Sequence, residues 1–333
     1  MDNLQYEKKT DFLKEKFDPR AIPEIEVIEI ELFNVLSDSK GVVRDMCSQI
    51  LNAGGKRIRP LLVLYSGLVF SPVSSELINA AVASELIHMA SLVHDDIIDN
   101  SSLRRSKPSI NSSWGNHFAV LCGDYLFAKA FGVLSKNRLI GSMDLMVEAI
   151  ENMCEGEILQ AHNKFNFGTD LDMYYSCISR KTAIFLECCC KSGALVSGAS
   201  ENQLDAIGKY GLNMGLAFQI IDDILDICGN TKVTGKPNFE DLRQGNITLP
   251  LIMLLKDENY AEFIKEIVHS RSFSDHTLKE LTKILENTGI ISRCYETALM
   301  HIEKAIESLM NLPKSEYTYR LNNLANMLMM RAN

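Results

Sequence analysis

Two copies of one acidic pattern are the residues of this chain best suited to chemistry. The first is Asp95-Asp96-Ile97-Ile98-Asp99 and the second is Asp222-Asp223-Ile224-Leu225-Asp226. Each lies in an apolar stretch with helical periodicity. On a helix, the first and last aspartates of each copy lie one turn apart on the same face. Carboxylates stacked in this way repel one another and are costly to desolvate unless a cation lies between them.

Magnesium is the cation that suits such carboxylates. Mg²⁺ prefers one or two carboxylates per ion, keeps several waters and completes its shell with phosphate oxygens of a substrate. Two aspartate clusters that face each other would hold a diphosphate through several metal ions. A solvated helix end is the alternative for the first cluster alone, but its neighbours Leu92, Val93, Ile97 and Ile98 are apolar. Chance duplication of the pattern inside apolar helices is rare, so we favour metal and diphosphate binding.

A basic segment is a candidate anion site. Gly54-Gly55-Lys56-Arg57-Ile58-Arg59-Pro60 precedes a helical pattern. Glycines let the backbone approach a ligand closely, and a helix N-terminus offers unpaired N–H groups to an anion. Lys56 and Arg59 can reach phosphate oxygens, Arg59 as a bidentate fork. A helix cap with a solvated basic turn would explain the segment if it stood alone, but beside two acidic clusters we favour a second phosphate site without its own metal.

Other polar residues accompany the first aspartate cluster. Arg104 and Arg105 follow it and either bind phosphate or pair with the aspartates. His88 lies two turns before Asp95 near the same face, where both a core histidine and a diphosphate contact remain open. The remaining candidates are polar groups in mainly apolar surroundings, each of which alone would be taken for a surface or capping residue: Lys181, Thr182, Gln219 and Lys236.

The elements that must position these residues are helices. Almost every segment has helical periodicity, with Gly, Pro, Asn and Ser between segments and no strand-like alternation. Predicted helices cover roughly 23–36, 41–53, 58–70, 75–100, 112–135, 139–164, 171–197, 201–228 and 239–256, with several more to about 330. No Pro/Gly/Ser-rich linker divides the chain, so we expect an all-α protein with a single domain over residues 1–333.

Composition narrows the class of protein. The chain has 333 residues, is 46% hydrophobic and carries a formal net charge of −9 at pH 7, which argues against a nucleic-acid partner. Its nine cysteines are an odd number without a CxxC pair, so we expect reduced thiols rather than disulfides or a zinc site. Neither a signal-peptide pattern nor an apolar run of about 18 residues is seen. We therefore expect a cytoplasmic protein with no transmembrane segment.

The motifs, taken together, resemble those of the trans-polyprenyl (isoprenyl) diphosphate synthases. The resemblance runs from about residue 50 to 255. The matching motifs, in order, are GGKRIRP at 54–60, ELIHMASLVHDDIID at 85–99, LRRSKP at 103–108, GDYLFAKAF at 123–131, KTA at 181–183, FQIIDDILD at 218–226 and GKPNFEDLRQGNITLP at 235–250. The resemblance implies a single large helical bundle around a central cavity, and a homodimer.

The resemblance also implies a role for each matching residue. The family's metal ligands are matched by Asp95 and Asp99 with Asp96 in support, and by Asp222 and Asp226 with Asp223 beside them. The positions that hold isopentenyl diphosphate are matched by Lys56, Arg59, His88 and Arg105. The positions around the allylic diphosphate are matched by Arg104, Lys181, Thr182, Gln219 and Lys236. Mg²⁺ is the implied cofactor, with three ions around a bound diphosphate and Mn²⁺ as a substitute.

Two positions depart from the family pattern. Ser106 stands where LRRGKP is usual, and we expect this change to be harmless. Phe239 stands where the loop after Gly235-Lys236-Pro237 usually carries glycine. We expect that change to affect closure of the loop over the allylic site.

The implied chemistry is ionisation followed by carbon–carbon bond formation. Diphosphate leaves an allylic substrate, the double bond of isopentenyl diphosphate attacks the allylic cation, and a proton is lost. Mg²⁺ on both clusters, with Arg104, Lys181 and Lys236, would stabilise the departing charge, and apolar helices would exclude water. No side chain stands out as a general base, and the released diphosphate is a candidate.

Small residues before the first motif predict a long product. The aspartates end their helix, so a growing chain must run back along it. Ala90 and Ser91 lie about 6–8 Å from Asp95 along the axis, where short-chain family members tend to carry a bulky aromatic. Ser84 and Ala83, deeper on the helix, are also small, and the motif lacks the two-residue insertion of many farnesyl-type enzymes. We expect a hexaprenyl to decaprenyl product, heptaprenyl or octaprenyl above all, for quinone side chains. The alternative is that small residues here only permit tight helix packing.

Four other functions compete with this one. The chain could be a short-chain (farnesyl or geranylgeranyl) synthase, or one subunit of a heteromeric synthase that is active only with its partner. A terpene cyclase shares an aspartate-rich helix, but the intact second motif and the basic segment argue against it. A structural or metal-buffering helical protein has little support beside so complete a set of motifs.

Overall fold

The computed structural model describes residues 22–229, 238–271 and 273–330. The chain forms two compact units, each built from segments that are distant in sequence. The first unit comprises the chain up to Met146, together with Cys189–Ile207 and Leu312–Leu321, and the second comprises Val147–Cys188, Gly208–Asn311 and the chain from Asn322 onward. The single-domain expectation stays a prediction.

The described residues up to Lys136 fold into six helices and one hairpin. The helices are α1 Pro23–Ser37, α2 Val42–Asn52, α3 Ile58–Leu68, α4 Ser75–Ile98, α5 Ile110–Trp114 and α6 Asn116–Lys136. The hairpin pairs β1, Leu103–Arg104, with β2, Lys107–Pro108, in antiparallel register. It is the one sheet within the described ranges.

The rest of the described chain is helical. Its α-helices are α7 Ile140–His162, α8 Leu171–Ile178, α9 Ile184–Val196, α10 Glu201–Cys228, α11 Glu240–Gln244, α12 Leu249–Leu255, α13 Ala261–Ser270, α14 Asp275–Asn287, α15 Ile290–Ser308 and α16 Glu316–Met330. A π-helical turn, Ser179–Ala183, joins α8 to α9, and a 3₁₀ turn, Leu309–Asn311, follows α15. The all-α prediction is confirmed.

Helix α4 is the core helix of the first unit. Its N-terminus is capped by Ser74, whose side chain accepts a hydrogen bond from the Leu77 N–H. Both faces of α4 are mostly apolar and buried, as expected for a helix surrounded by others. Gly123 lets α6 approach α4 closely, because a Cβ there would lie 2.2 Å from His94 Nε2. The first aspartate motif thus ends a helix that is packed along most of its length.

Among the residues that the structure describes, two helices, α4 and α6, are long and apolar enough to cross a membrane by length and composition alone. The most apolar window of α4 is 72% buried, whereas that of α6 is 39% buried. Burial identifies α4 as a core helix, while α6 keeps an exposed apolar face.

Candidate active site

The first aspartate motif lies at the C-terminal end of α4. Asp95 is half-buried, and Asp99 is exposed and caps the helix, with its N–H donating to Asp95 O over 2.8 Å. Between them Asp96 is only 4% exposed. The outer two aspartates therefore reach solvent, whereas the middle one is enclosed by protein.

Asp96 is held by the hairpin that follows α4. Its Oδ1 accepts hydrogen bonds from Arg104 Nε at 2.9 Å and from Nη2 at 2.6 Å. Asn111 Nδ2 donates to the main-chain oxygen of Asp96 over 3.1 Å. The ion-pairing alternative for Arg104 is thus realised in this structure. The phosphate role of Arg104 stays a prediction.

The hairpin turn has a strained backbone. Arg105 and Ser106 have φ angles of 52° and 61°, both in the left-handed region that a tight two-residue hairpin requires. Glycine adopts this conformation without steric cost, which accounts for glycine at position 106 in the family motif. The serine therefore carries a backbone cost that the sequence alone does not reveal.

Ser106→Gly is expected to raise the free energy of unfolding by about 0.5–1 kcal/mol, because it relieves this left-handed strain. Urea unfolding of the two proteins measures the difference. Ser102→Gly is the matched control, because Ser102 is not among the residues with positive φ, and there glycine should only lower stability. A Ser106→Gly protein no more stable than the wild type would contradict the strain assigned to this turn.

A cleft lies in the first unit, beside the first aspartate motif. Its polar lining includes Arg57, Glu85, His88, Asp96, Arg104 and Arg105. Gly55 lies against the Arg105 guanidinium, since a Cβ at Gly55 would lie 2.7 Å from Arg105 Nη1. The cleft thus gathers three of the predicted diphosphate residues, His88, Arg104 and Arg105. Lys56 lies exposed in the same basic segment.

Arg59 and His88 form a hydrogen-bonded pair. Arg59 Nη1 lies 3.0 Å from His88 Nε2, and because a guanidinium only donates, this ring nitrogen accepts. Burial, and then the charge of Arg59, hold the pKa of His88 well below its usual value. His88 is therefore neutral at physiological pH, and its buried Nδ1 has no hydrogen-bond partner within the described chain. The structure brings these two predicted residues together, and their ligand stays a prediction.

A buried ion pair in the lining of this cleft was not predicted from the sequence. Arg57 Nη1 donates to Glu85 Oε1 at 2.7 Å, and its Nε donates to Glu29 Oε1 at 2.5 Å. Burial works to lower the pKa of Arg57, but the hydrogen bond to Glu29 and the charge of Glu85 outweigh it and raise that pKa. A glutamate within the apolar pattern of α4 was the available signal for this pair.

Glu85→Ala is expected to lower the free energy of unfolding by about 3 kcal/mol, because it leaves the charge of Arg57 buried without its most enclosed partner. The matched control is Glu29→Ala. Glu29 contacts the same guanidinium, but its side chain is 43% exposed, and its loss should cost about 1 kcal/mol or less. Urea unfolding compares the two. Equal losses of stability in the two variants would contradict the larger contribution assigned to the ion pair between Arg57 and Glu85.

The second aspartate motif lies near the C-terminal end of α10 and repeats the arrangement of the first. Asp222 is exposed, Asp226 is half-buried, and the middle Asp223 is only 3% exposed. Burial, followed by the charge of Asp241, raises the pKa of Asp223 well above its usual value. In both motifs the outer aspartates are thus accessible and the middle one is enclosed.

Asp226 is tied to the segment that begins α11. Its Oδ1 accepts from the Glu240 N–H at 3.1 Å and its Oδ2 accepts from the Asp241 N–H at 3.3 Å. Burial, and then the charge of Asp241, raise the pKa of Asp226 to about 7, against the lowering effect of these backbone hydrogen bonds. Both carboxylate oxygens of Asp226 therefore accept hydrogen bonds from the start of α11.

The backbone conformation of Phe239 explains why glycine is usual at this position in the family. Its φ is 62°, a left-handed conformation that costs a bulky residue about 1–3 kcal/mol. Its ring is buried, and its N–H donates to Asp226 O at 2.8 Å. Gly235-Lys236-Pro237 lies outside the described residues, so the predicted roles of Lys236 and of loop closure stay predictions.

The π-helical turn carries Lys181 and Thr182. Lys181 Nζ contacts Glu157 Oε2 at 2.6 Å and Gln160 Oε1 at 2.7 Å. Thr182 Oγ1 donates to Gln219 Oε1 at 2.9 Å, and Gln219 Nε2 donates to Asp223 Oδ1 at 2.9 Å. Three predicted residues, Thr182, Gln219 and Asp223, thus form one hydrogen-bonded chain.

The donor set of each motif suits a metal that shares its shell with phosphate. Within the described ranges, no three His, Cys, Asp or Glu side chains converge on a position that could hold an ion. Each motif has two carboxylates that are less enclosed than the middle one, Asp95 with Asp99 and Asp222 with Asp226. Mg²⁺ fits such a pair, because it fills the rest of its shell with water and substrate phosphate. The metal assignments, and the sharing of one diphosphate by both motifs, stay predictions.

The predicted chain-length residues lie on α4 below the first motif. Ala83, Ser84 and Ala90 are fully buried, and Ser91 is half-buried. Ser84 Oγ donates to Ala81 O at 2.7 Å, so its hydroxyl is satisfied within the helix. Both a product tunnel and tight packing require small side chains at these positions.

Comparison with known proteins gives the family. The polyprenyl synthetase family model matches residues 40–285. Heptaprenyl diphosphate synthase component 2 of Geobacillus stearothermophilus is 36% identical over 302 residues, 91% of this chain and 94% of that protein. Octaprenyl diphosphate synthase of Haemophilus influenzae is 32% identical over 96% of this chain and 97% of that protein.

A solved structure agrees. Heptaprenyl diphosphate synthase from Staphylococcus aureus superposes with a TM-score of 0.87 at 30% identity, over 96% of this chain and all (100%) of that chain. Proteins named geranylgeranyl diphosphate synthase match as well. The resemblance seen in the motifs is therefore confirmed, and the chain belongs to the polyprenyl synthetase family of prenyltransferases.

Proposed function

We propose that this chain is an Mg²⁺-dependent prenyltransferase that condenses isopentenyl diphosphate with an allylic diphosphate, head to tail. Its product is a long all-trans polyprenyl diphosphate, hexaprenyl to decaprenyl with heptaprenyl or octaprenyl favoured, for quinone side chains. The observation that carries the proposal is the repeated motif geometry. In each motif two accessible aspartates flank a buried one on a helix end, in a chain 36% identical to a heptaprenyl diphosphate synthase component.

Each group of residues has a task in this reaction. When bound, Mg²⁺ supplies positive charge that stabilises the departing diphosphate. Asp95 and Asp99, and Asp222 and Asp226, would hold the ions through their carboxylates. The allylic carbon loses its bond to diphosphate, the double bond of isopentenyl diphosphate forms the new carbon–carbon bond, and the released diphosphate takes the proton.

The arginine-lined cleft suits isopentenyl diphosphate. Arg105 lines it, and Arg59 lies next to it through His88, so guanidinium groups can bind a diphosphate in bidentate fashion. His88 is neutral and its Nε2 accepts a hydrogen bond from Arg59. Its Nδ1 therefore carries a proton and can donate a hydrogen bond. Lys56 adds an exposed positive charge. Isopentenyl diphosphate keeps its diphosphate group in this reaction. Its site therefore does not need a pair of metal-binding aspartates like those of the two motifs.

A second copy of the chain is the proposed partner. Phe118, Val120 and Leu121 on α6 are 46%, 43% and 52% exposed. An apolar helix face of this kind favours burial against another molecule, and the family resemblance implies a homodimer. We also propose a cytoplasmic location, in keeping with the expectation from composition.

A heteromeric enzyme is the second candidate, because the Geobacillus relative is named as component 2 of its synthase. The experiment uses the purified single chain with isopentenyl and farnesyl diphosphates, and measures turnover with Mg²⁺ and with the metal chelated. Metal-dependent turnover, together with a dimeric mass by light scattering, supports the homodimer. An inactive but folded single chain supports the heteromeric alternative, and metal-independent turnover would overturn the proposed function.

A further inference from the structure

One face of α10 repeats every four residues. Gly211, Gly215, Gln219 and Asp223 form a ridge along the helix. At Gly215 a Cβ would lie 2.4 Å from Ala183 Cα, and at Gly211 it would lie 2.7 Å from Leu186 O. The two glycines therefore let the π-helical turn and the start of α9 rest directly on the α10 backbone.

The same ridge continues with polar residues that reach back to this segment. Gln219 joins Thr182 to Asp223 through two hydrogen bonds of 2.9 Å. The second oxygen of Asp223 accepts from the hydroxyl of Tyr174 at 2.6 Å. Both carboxylate oxygens of Asp223 are thus taken by protein donors, in a setting where Tyr174 and Asp223 are buried.

The hydrogen bonds link the second motif to the π-helical turn and to the helix before it. Tyr174 lies on α8 before the π-helical turn, and Thr182 lies within it. Single π-helical turns within α-helices are frequent at functional sites. The turn that carries Lys181 is therefore fixed to the helix that carries Asp222 and Asp226.

We propose that Tyr174 is a positioning residue for the second aspartate motif. Its hydroxyl, with the Gln219 amide, holds Asp223 as an internal anchor, and Asp223 orients the end of α10 so that Asp222 and Asp226 meet the metal. Asp223 itself then does not bind metal. The inference rests on the proposed function, in which Asp222 and Asp226 hold Mg²⁺ with a diphosphate.

The first motif supports this division of roles. There the middle residue, Asp96, is likewise buried and accepts two hydrogen bonds from Arg104. Groups that orient the residues around a metal affect its affinity about 10- to 100-fold when removed. An anchoring residue therefore has a measurable signature in metal binding.

The test compares Tyr174→Phe with Tyr175→Phe. The first removes only the hydroxyl that bonds Asp223. The second removes the neighbouring hydroxyl, which lies 3.4 Å from His301 Nε2, a residue outside both motifs. Calorimetric titration of Mg²⁺ into full-length protein with inorganic diphosphate should show binding about 10- to 100-fold weaker for Tyr174→Phe. The Mg²⁺ affinity of Tyr175→Phe should differ from that of the wild type by less than about twofold. In the kinetic assay kcat should fall while KM for isopentenyl diphosphate stays unchanged.

Asp223→Asn separates anchoring from metal binding. An asparagine keeps both contacts, because its oxygen accepts from Gln219 and its amide donates to the Tyr174 oxygen. Under the anchoring role, Asp223→Asn keeps Mg²⁺ affinity within about threefold of the wild type, whereas Asp222→Asn loses it about 10- to 100-fold. Thermal melting confirms folding, and if Tyr174→Phe does not fold, the asparagine variants decide.

The outcomes are distinct. A wild type that binds no Mg²⁺ with diphosphate overturns the proposed function itself. A wild type that binds, with folded Tyr174→Phe and Tyr175→Phe proteins of equal affinity, overturns the positioning role alone. Loss of affinity in Asp223→Asn as large as in Asp222→Asn makes Asp223 a ligand and overturns it as well.

Discussion

Replacing Asp95 or Asp222 with alanine is expected to lower turnover by about a thousandfold or more, with the helical fold intact. Both residues are the accessible first aspartates of their motifs. Each substitution removes a carboxylate proposed to hold Mg²⁺, and with it the positive charge that stabilises the departing diphosphate. Turnover of isopentenyl diphosphate measures the loss, and circular dichroism measures the helix content.

Asp144→Ala is the matched control for these substitutions. Asp144 is an exposed aspartate on α7 outside both motifs, so its removal should leave turnover within about twofold of the wild type, as is usual for surface changes. Near-normal turnover in both Asp95→Ala and Asp222→Ala would refute the role given to the motifs.

Replacing Ala90 with phenylalanine is expected to shorten the product. Ala90 is fully buried on α4, about one turn from the motif, and a phenyl ring there would block a chain that runs back along the helix. Mass analysis of the products from farnesyl and isopentenyl diphosphates measures the chain length. The dominant product should fall from the long-chain range to a farnesyl- or geranylgeranyl-sized one.

Ser84→Phe gives the matched comparison. Ser84 lies about 9 Å further along the α4 axis than Ala90, so the tunnel predicts a product longer than that of Ala90→Phe and shorter than that of the wild type. Ala90→Leu gives a milder change if phenylalanine disturbs the core. An unchanged product length in active variants would show that the small residues serve packing alone.

The sequence predicted most helices, and the exceptions have local causes. The predicted helix 112–135 is divided at Gly115, whose φ is 84°. The predicted helix 239–256 is likewise divided at Gly245, whose φ is 91°. A glycine inside a helical pattern is ambiguous, since it can remain helical or break the helix. The predicted helix 171–197 contains a π-helical turn that periodicity does not distinguish from α-helix.

The motif residues could be found from the sequence, whereas their supporting partners could not. Arg57 and Glu85 are 28 residues apart, and Tyr174 and Asp223 are 49 apart. Neither pair has a spacing that periodicity can detect, because each forms only when distant helices pack. Burial also separates Asp96 and Asp223 from the outer aspartates of their motifs, although all are identical in type.

Backbone conformation also could not be predicted from the sequence. Ser106 and Phe239 were recognised as departures from the family pattern, but only the φ angles of 61° and 62° show that both occupy left-handed positions. At Ser106 little offsets the cost of the left-handed conformation, because the side chain is exposed. At Phe239 the buried ring provides a compensating apolar contribution.

The length and chemistry of the product test the central claim most directly. Purified chain, supplied with isopentenyl and farnesyl diphosphates and Mg²⁺, should yield all-trans polyprenyl diphosphates whose main mass is that of the heptaprenyl or octaprenyl compound. A cyclic hydrocarbon, or a product that stops at farnesyl or geranylgeranyl length, would contradict it.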